Sequence, residues 1–180
     1  MKSMDKQRDA FLDYLTYQKR YSPLTVSSYQ REINDFIAYV RQEAYQDFTE
    51  CDYALIRSYL VALNKRHLSH ASINHKLSSL RSFFKFLRRQ GYVEDNPFML
   101  VSALKTGERN PDFLFLDDML GLLDSIHTDS DLGMRNKAML EMMYASGLRV
   151  SEVVNLTLDH VDLVHQILFI RGKGNKDRYV

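Results

Sequence analysis

The first ninety residues carry apolar side chains at spacings of three, four and seven, which is the repeat of amphipathic helices. Ser22 precedes Pro23, and this pair signals a helix start because the first helical turn needs no proline N–H. Ser69 is the corresponding cap of a later helix, which ends at Gly91. The pattern predicts four helices, which cover roughly residues 5–20, 22–40, 53–66 and 69–91.

The fourth predicted helix separates apolar from basic side chains. Projected at 100° per residue, its apolar arc contains Ile73, Leu77, Leu80, Phe83, Phe84 and Leu87. The opposite arc carries Arg81, Lys85, Arg88 and Arg89, with Asn74, Ser78 and Ser82 between them. Cations interleaved with small polar residues can approach a sugar-phosphate backbone closely, so we predict that these four cations bind DNA. Lys76 falls on the apolar arc and is left out of this face.

The distribution of charge favours the same interpretation. Residues 1–106 hold 16 basic and 11 acidic residues, a net charge of +5, whereas residues 107–180 hold 8 and 12, a net charge of −4. Between Asp52 and Glu94 there is no acidic residue, but there are eight Lys or Arg and three His. Such a surface attracts phosphates through Coulomb forces and counterion release. The alternative is a solvated helix face that is basic by chance.

From Glu94 onward the pattern changes. The turn Asp95-Asn96-Pro97 and the polar run from Lys105 to Pro111 predict a linker. Further helices are expected near residues 117–127, 133–146 and 150–157, with Gly147 ending the second of them.

A strand follows the last predicted helix. The run Gln166–Arg171 is apolar and β-branched, Gly172–Asn175 is a tight turn, and a return strand begins at Lys176. The predicted domain organisation is therefore a helical domain (1–91), a linker (92–111) and a second, incomplete domain (112–180).

Composition excludes several classes of protein. The single cysteine, Cys51, rules out an intramolecular disulfide framework and a cysteine metal cluster. No apolar run approaches the roughly 18 residues that cross a bilayer, and the polar N-terminus is unlike a secretory signal. We therefore expect a soluble cytoplasmic protein without membrane association.

Arg149 is the first candidate for chemistry in the second domain. It stands in the segment Gly147-Leu148-Arg149-Val150-Ser151-Glu152, at a sharp helix-to-helix junction. An arginine near a helix start opposes the local dipole and gains nothing there as a solubilising charge. A guanidinium at this point can bind two oxygens of a phosphate. The alternative is an arginine that pairs with Glu152 or caps a carbonyl.

Lys173 is the second candidate, in the segment Gly172-Lys173-Gly174-Asn175-Lys176. The glycines permit a tight turn from which the lysine projects. This is not the loop of nucleotide hydrolases, because GxxxxGK[ST] is absent and no helix follows. The alternative is an ordinary hairpin turn.

Taken together, these segments resemble the tyrosine recombinase (phage integrase) family, most closely its Xer type. The order Gly-Leu-Arg-Val-Ser-Glu, strand, Gly-Lys-Gly-Asn-Lys is similar to the start of the catalytic domain of that family. Residues 21–25 and 72–87 resemble the second and fourth helices of its core-binding domain, and residues 94–97 and 109–111 its linker. The resemblance implies a mainly α fold: an N-terminal four-helix, SAM-like core-binding domain, then the start of a mixed α+β tyrosine recombinase catalytic domain.

The resemblance also implies a reaction that uses no metal, ATP or other cofactor. A tyrosine hydroxyl attacks the scissile phosphate, which forms a 3′-phosphotyrosyl link and releases a 5′-hydroxyl. Arg149 is implied to clamp the non-bridging oxygens, and Lys173 to protonate the leaving oxygen. The family's His-x-x-Arg motif, its later His or Trp and its nucleophilic tyrosine do not follow in these 180 residues. We therefore expect a C-terminally truncated chain that is inactive alone.

The implied partners are a specific duplex DNA site and a paralogous recombinase, in a tetramer on two such sites. The implied role is the resolution of chromosome dimers at cell division. Three alternatives remain open at this point: an integrase of a phage or mobile element, a DNA-binding protein without catalysis, and a helical interaction module.

Overall fold

The computed structural model describes residues 3–107, 112–172 and 177–180 and separates two units, Met1–Glu108 and Arg109–Val180. The four helices predicted for the first ninety residues are confirmed. They are α1 (Ser3–Asp13), continued by a π-helical turn (Tyr14–Gln18), α2 (Pro23–Gln42), α3 (Tyr53–Lys65) and α4 (His70–Arg89). Two short 3₁₀ turns, Phe48–Glu50 and Pro97–Leu100, complete the first unit.

Side-chain caps fix where these helices begin. Ser22 Oγ accepts a hydrogen bond from the backbone N–H of Thr25 (3.3 Å), and Ser69 Oγ accepts one from that of Ser72 (3.2 Å). Each cap satisfies an N–H group that has no partner inside the helix. The predicted starts of α2 and α4 are therefore confirmed. After α4, Gly91 adopts a left-handed conformation (φ 75°), which glycine tolerates without a Cβ clash.

The core of the first unit is aromatic. All six residues of the apolar arc of α4 are 0% exposed, so the predicted orientation of this helix is correct. Phe36 of α2 makes edge-on contacts with Tyr59 of α3 (5.1 Å between ring centroids) and Phe84 of α4 (6.0 Å). Each such pair adds about 0.5–1.5 kcal/mol to the burial of its area. Burial also raises the pKa of the Cys51 thiol to about 12, as expected for an unreactive cysteine.

The structure differs from the predicted linker (92–111) over its first half. Val93 and Phe98 are buried in the core of the first unit, and Phe98 packs edge-on against Phe84 at 5.1 Å. The polar residues around position 96 are typical of an exposed turn, but burial of Phe98 anchors the segment to α4. Residues Val93–Lys105 are called the connector below.

The described residues of the second unit form three helices and a small sheet. The helices are α5 (Leu116–Asp124), α6 (Asp131–Ser146) and α7 (Val150–Val154), followed by a 3₁₀ turn (Leu158–His160). Gly147 ends α6 with a left-handed conformation (φ 60°), which confirms the predicted break. The sheet is antiparallel, in the order β1 (Val161–Asp162), β2 (Ile167–Arg171) and β3 (Asp177–Tyr179).

The β2–β3 hairpin matches the sequence prediction, whereas β1 was missed because two residues carry no recognisable alternation. Ile170 lies opposite Arg178 in the register, and Arg171 lies opposite Asp177. Leu148, Val153 and Ile170 form the buried core of this unit, with Met139 and Met143 packed against them. Within the described residues, no helix has the length and apolar character that crossing a membrane requires.

Candidate DNA interface and phosphate site

The exposed face of α4 carries three of the four cations that were predicted to bind DNA. Lys85, Arg88 and Arg89 are exposed, and the described residues show no ion pair to any of them. Their position at the C-terminal half of α4 also suits the helix dipole, which favours cations there. The three side chains are therefore available to a phosphate backbone without breaking an existing contact.

Arg81 is placed differently from the prediction. Its guanidinium is half-buried and donates hydrogen bonds to two connector carbonyls, from Nε to Phe98 O (3.1 Å) and from Nη2 to Val101 O. The carbonyl of Arg81 in turn accepts from Asn96 Nδ2 (3.0 Å). Two of the five N–H donors of Arg81 are therefore used inside the protein, so Arg81 is less available to DNA than the three exposed cations, and its part in DNA binding stays a prediction. Helical projection placed it on the polar arc but could not show that the connector covers part of that arc.

Asn74, which the helical projection places between the cations, also binds the connector. Its side chain makes a two-way pair with the backbone of Leu104, from Nδ2 to Leu104 O and from Leu104 N to Oδ1, both at 2.8 Å. One turn earlier, His70 Nδ1 lies 2.8 Å from the carbonyl oxygen of Lys105. The side chains that hold the connector thus lie in the first and middle turns of α4, and the exposed cations lie in its last turns.

In the second unit, Arg149 is the N-cap residue of α7, two positions after the left-handed Gly147. Its side chain is 67% exposed, and Nη1 donates to Glu152 Oε1 at 2.9 Å. The pairing that was considered as an alternative is therefore present. Because a guanidinium has five N–H donors, this bond leaves others for a ligand. Pairing with Glu152 and binding of a phosphate are compatible.

Glu152 is a further functional candidate. From the sequence it was named only as an alternative to phosphate as the partner of Arg149. Its carboxylate is 5% exposed and accepts from the Arg149 backbone N–H (2.9 Å) as well as from the Arg149 guanidinium. Arg178 of β3 binds the same two oxygens through Nη1 and Nη2, each at 2.9 Å. Hydrogen bonds from Arg178, with those from Arg149, lower the pKa of Glu152 to about 2. The signal in the sequence was an acid at the third helical position, where it can cap the helix start.

Lys173 lies outside the described residues, so its placement near Arg149 stays a prediction. The hairpin that carries it is described on both sides of the turn, up to Gly172 and again from Asp177. The structure brings together the start of α7 and strand β3, through Glu152. The α4 face belongs to the other unit.

Two family models match the chain. Residues 9–91 match the model described as "Phage integrase, N-terminal SAM-like domain", and residues 112–180 match the one described as "Phage integrase family". The chain belongs to the phage integrase family. The predicted fold class, helical core-binding domain and start of a catalytic domain, is confirmed.

Its curated relatives include proteins named tyrosine recombinase XerC. The protein of Halalkalibacterium halodurans is 41% identical over 176 residues, which are 98% of this chain and 58% of the relative. That of Oceanobacillus iheyensis is 38% identical over 180 residues, which are 100% of this chain and 59% of the relative. These relatives confirm the Xer type and its resemblance to XerC. The chain spans less than two thirds of the length of the curated relatives it matches.

Solved structures share the fold at low sequence identity. A lambda integrase tetramer bound to a Holliday junction matches with a TM-score of 0.76 at 15% identity, over 98% of this chain and 50% of that one. The integrase of transposon Tn1549, in complex with circular intermediate DNA, matches with a TM-score of 0.68 at 14% identity, over 100% of this chain and 59% of that one.

Proposed function

We propose that this chain is the DNA-binding and N-terminal catalytic portion of a site-specific DNA recombinase that cuts and rejoins DNA through a 3′-phosphotyrosyl intermediate. In this proposal residues 1–91 bind the duplex, and residues 112–180 supply part of the active site. One observation supports it above the others: an exposed guanidinium, Arg149, is held at a helix start by a buried carboxylate. A helix start favours anions through its free N–H groups and its dipole.

Arg149 is the group that stabilises charge on the reacting phosphate. The phosphate gains negative charge at its non-bridging oxygens in the transition state, and donors that are already positioned there lower the barrier. Lys173 is the proposed proton donor to the leaving 5′-oxygen, since an ammonium loses a proton more readily than a guanidinium. The attacking tyrosine is expected in the remainder of the family's catalytic domain.

The proposed DNA contact surface of the first unit consists of Lys85, Arg88 and Arg89. Its target is a specific duplex site, and its partner is a paralogous recombinase in a tetramer on two such sites. The resemblance to the Xer type implies a role in chromosome-dimer resolution, and the relatives named XerC support that type. The cytoplasmic location expected from the sequence stays a prediction.

The proposal is tested with the complete gene product that carries residues 1–180. A pool of genomic duplex fragments is incubated with the protein, and covalent protein–DNA complexes that survive denaturing detergent are isolated and sequenced. We expect one site to be enriched. Replacing Arg149 by Ala is expected to reduce the covalent complex at least about 100-fold, while DNA binding stays within about threefold of the unaltered protein.

The matched control is Arg135→Ala, which removes an exposed arginine from α6 in the same unit. This variant is expected to form the covalent complex at the unaltered rate. If the Arg149→Ala protein cleaves as fast as the Arg135→Ala protein, Arg149 has no catalytic role. Absence of any covalent complex with the unaltered protein would reject the recombinase function itself.

A further inference from the structure

The Arg178 guanidinium is held by two hydrogen bonds to the buried Glu152 carboxylate. Arg178 lies on β3 opposite Ile170, which is 2% exposed and belongs to the core of this unit. Packing of Ile170 fixes the register of the hairpin, and the register directs Arg178 to Glu152. The two bonds of 2.9 Å form a parallel fork, the strongest geometry for an arginine and a carboxylate.

The Glu152 carboxylate is shared between two arginines. Oε1 accepts from Arg149 Nη1 and Arg178 Nη1, and Oε2 accepts from Arg149 N and Arg178 Nη2. With Glu152 and Arg149 alone, the pair would be neutral, and its attraction for a phosphodiester would be weakened by the carboxylate. With Arg178 the three side chains carry a net charge of +1. The carboxylate can therefore orient Arg149 without removing the positive charge of the cluster.

We propose that Arg178 is a positioning residue for Arg149: it fixes the Glu152 carboxylate, restores the charge that Glu152 cancels, and ties strand β3 to the start of α7. This inference rests on the proposed function, in which Arg149 contacts the scissile phosphate. Arg178 itself makes no contact with the DNA in this proposal.

Two substitutions separate charge from geometry. Arg178→Lys keeps the charge but loses the planar fork, and Arg178→Met keeps much of the volume but loses both. The matched control is Arg171→Met in the same hairpin. Arg171 is exposed and contacts Asp177 across the strands, at 3.4 Å, rather than Glu152.

The first measurement uses the 180-residue chain and needs no DNA cleavage. Nuclear magnetic resonance follows the Glu152 carboxyl during a pH titration and the exchange of the Arg149 side-chain N–H groups with water. In Arg178→Met we expect the pKa of Glu152 to rise from about 2 towards the ordinary range, with faster exchange at Arg149. In Arg178→Lys, the pKa of Glu152 and the exchange rate at Arg149 are expected to lie between those of the parent and Arg178→Met. In Arg171→Met both are expected to equal those of the parent. Cross-strand signals of Phe169 and Tyr179 report whether each hairpin is folded.

The second measurement is single-turnover cleavage by the complete gene product. A guanidinium displaced by about 1 Å costs on the order of 100-fold in rate, so Arg178→Met is expected to cleave about 10- to 100-fold more slowly at unchanged DNA affinity. Arg178→Lys is expected to recover part of this loss. Equal rates for Arg178→Met and Arg171→Met would overturn the inference while leaving the recombinase function intact. If the unaltered protein does not cleave at all, the proposed function fails. The positioning role is then tested by the resonance measurement alone, and unchanged Glu152 and Arg149 signals in Arg178→Met would reject it.

Discussion

Lys76 shows how a single residue can depart from a helical pattern without being exposed or functional. It lies on the apolar arc of α4 and is 12% exposed, and its ammonium contacts Glu32 and Asp35 of α2. Asp35 also accepts from the Tyr59 hydroxyl at 3.0 Å and from Arg66 Nη1 at 2.9 Å. A buried ion needs a partner and hydrogen bonds to offset its lost hydration. The charge on the apolar arc is therefore neutralised within the first unit, and it connects α2, α3 and α4.

Lys76→Met is expected to destabilise the first unit, because the buried Glu32 loses its ammonium partner and keeps only the exposed Arg31 guanidinium, at 3.3 Å. Removing one partner of a buried pair costs on the order of 3 kcal/mol of unfolding free energy. Urea unfolding near neutral pH measures this loss, with the exposed Lys85→Met on the same helix as control. Equal unfolding midpoints for the two variants would show that the Lys76 contacts add nothing to stability.

The same substitution has a signed pH dependence. Burial raises the pKa of Asp35, but hydrogen bonds from Lys76 and Arg66 outweigh burial and hold it below its ordinary value. A lowered folded-state pKa gives stability that is present above the unfolded-state pKa and is lost as pH falls through the folded one. The difference in unfolding free energy between the parent and Lys76→Met should therefore shrink on acidification. A difference that stays constant down to the acid transition would contradict the assigned role of Asp35.

At the scale of elements, α4 divides its polar surface between two tasks. His70, Asn74 and Arg81 hold the connector from the first and middle turns, while the described residues show no ion pair to Lys85, Arg88 or Arg89 near the end of the helix. Periodicity predicted the buried arc of α4 correctly, because burial against α1 and α2 repeats every turn. It could not predict which part of the polar arc is covered, because the connector returns along the helix through tertiary contacts. Phe98 was the residue in the sequence that could have indicated this return.

Asn74→Ala tests how firmly the connector is held. It removes both hydrogen bonds to Leu104, which together contribute about 1–2 kcal/mol. Local opening should become easier by this amount, so the Leu104 amide is expected to exchange hydrogen for deuterium roughly tenfold faster. Ser78→Ala, an exposed change one turn further along α4, is the matched control. If both variants protect Leu104 as well as the parent does, the Asn74 pair does not hold the connector.

At the scale of the whole molecule, the sequence predicted the seven helices, the hairpin and the family, because periodicity, caps and short motifs are local. It predicted Arg149 through its motif, yet it could not show that Glu152 also receives Arg178. These two residues are 26 positions apart, and only the folded hairpin brings them together. The burial of the first half of the predicted linker was missed for the same reason, whereas β1 was missed because two residues carry no recognisable alternation. Local patterns decide which elements form, and tertiary contacts decide which of their side chains remain available.

The availability of the α4 cations leads to a prediction on DNA binding by the 180-residue chain. Replacing Lys85, Arg88 and Arg89 together by Gln should weaken binding to duplex DNA at low salt. Each phosphate contact that is lost should reduce the slope of log affinity against log salt by about 0.9. Fluorescence anisotropy with a labelled duplex measures both quantities.

The control is a triple substitution with the same change in net charge at exposed residues of α1 and α3, namely Lys6, Arg57 and Lys65. Long-range attraction depends mainly on net charge. Equal losses of DNA affinity in the two triple variants would therefore mean that α4 carries no contact surface. A larger loss and a shallower slope in the α4 triple alone would place the phosphate contacts on that helix.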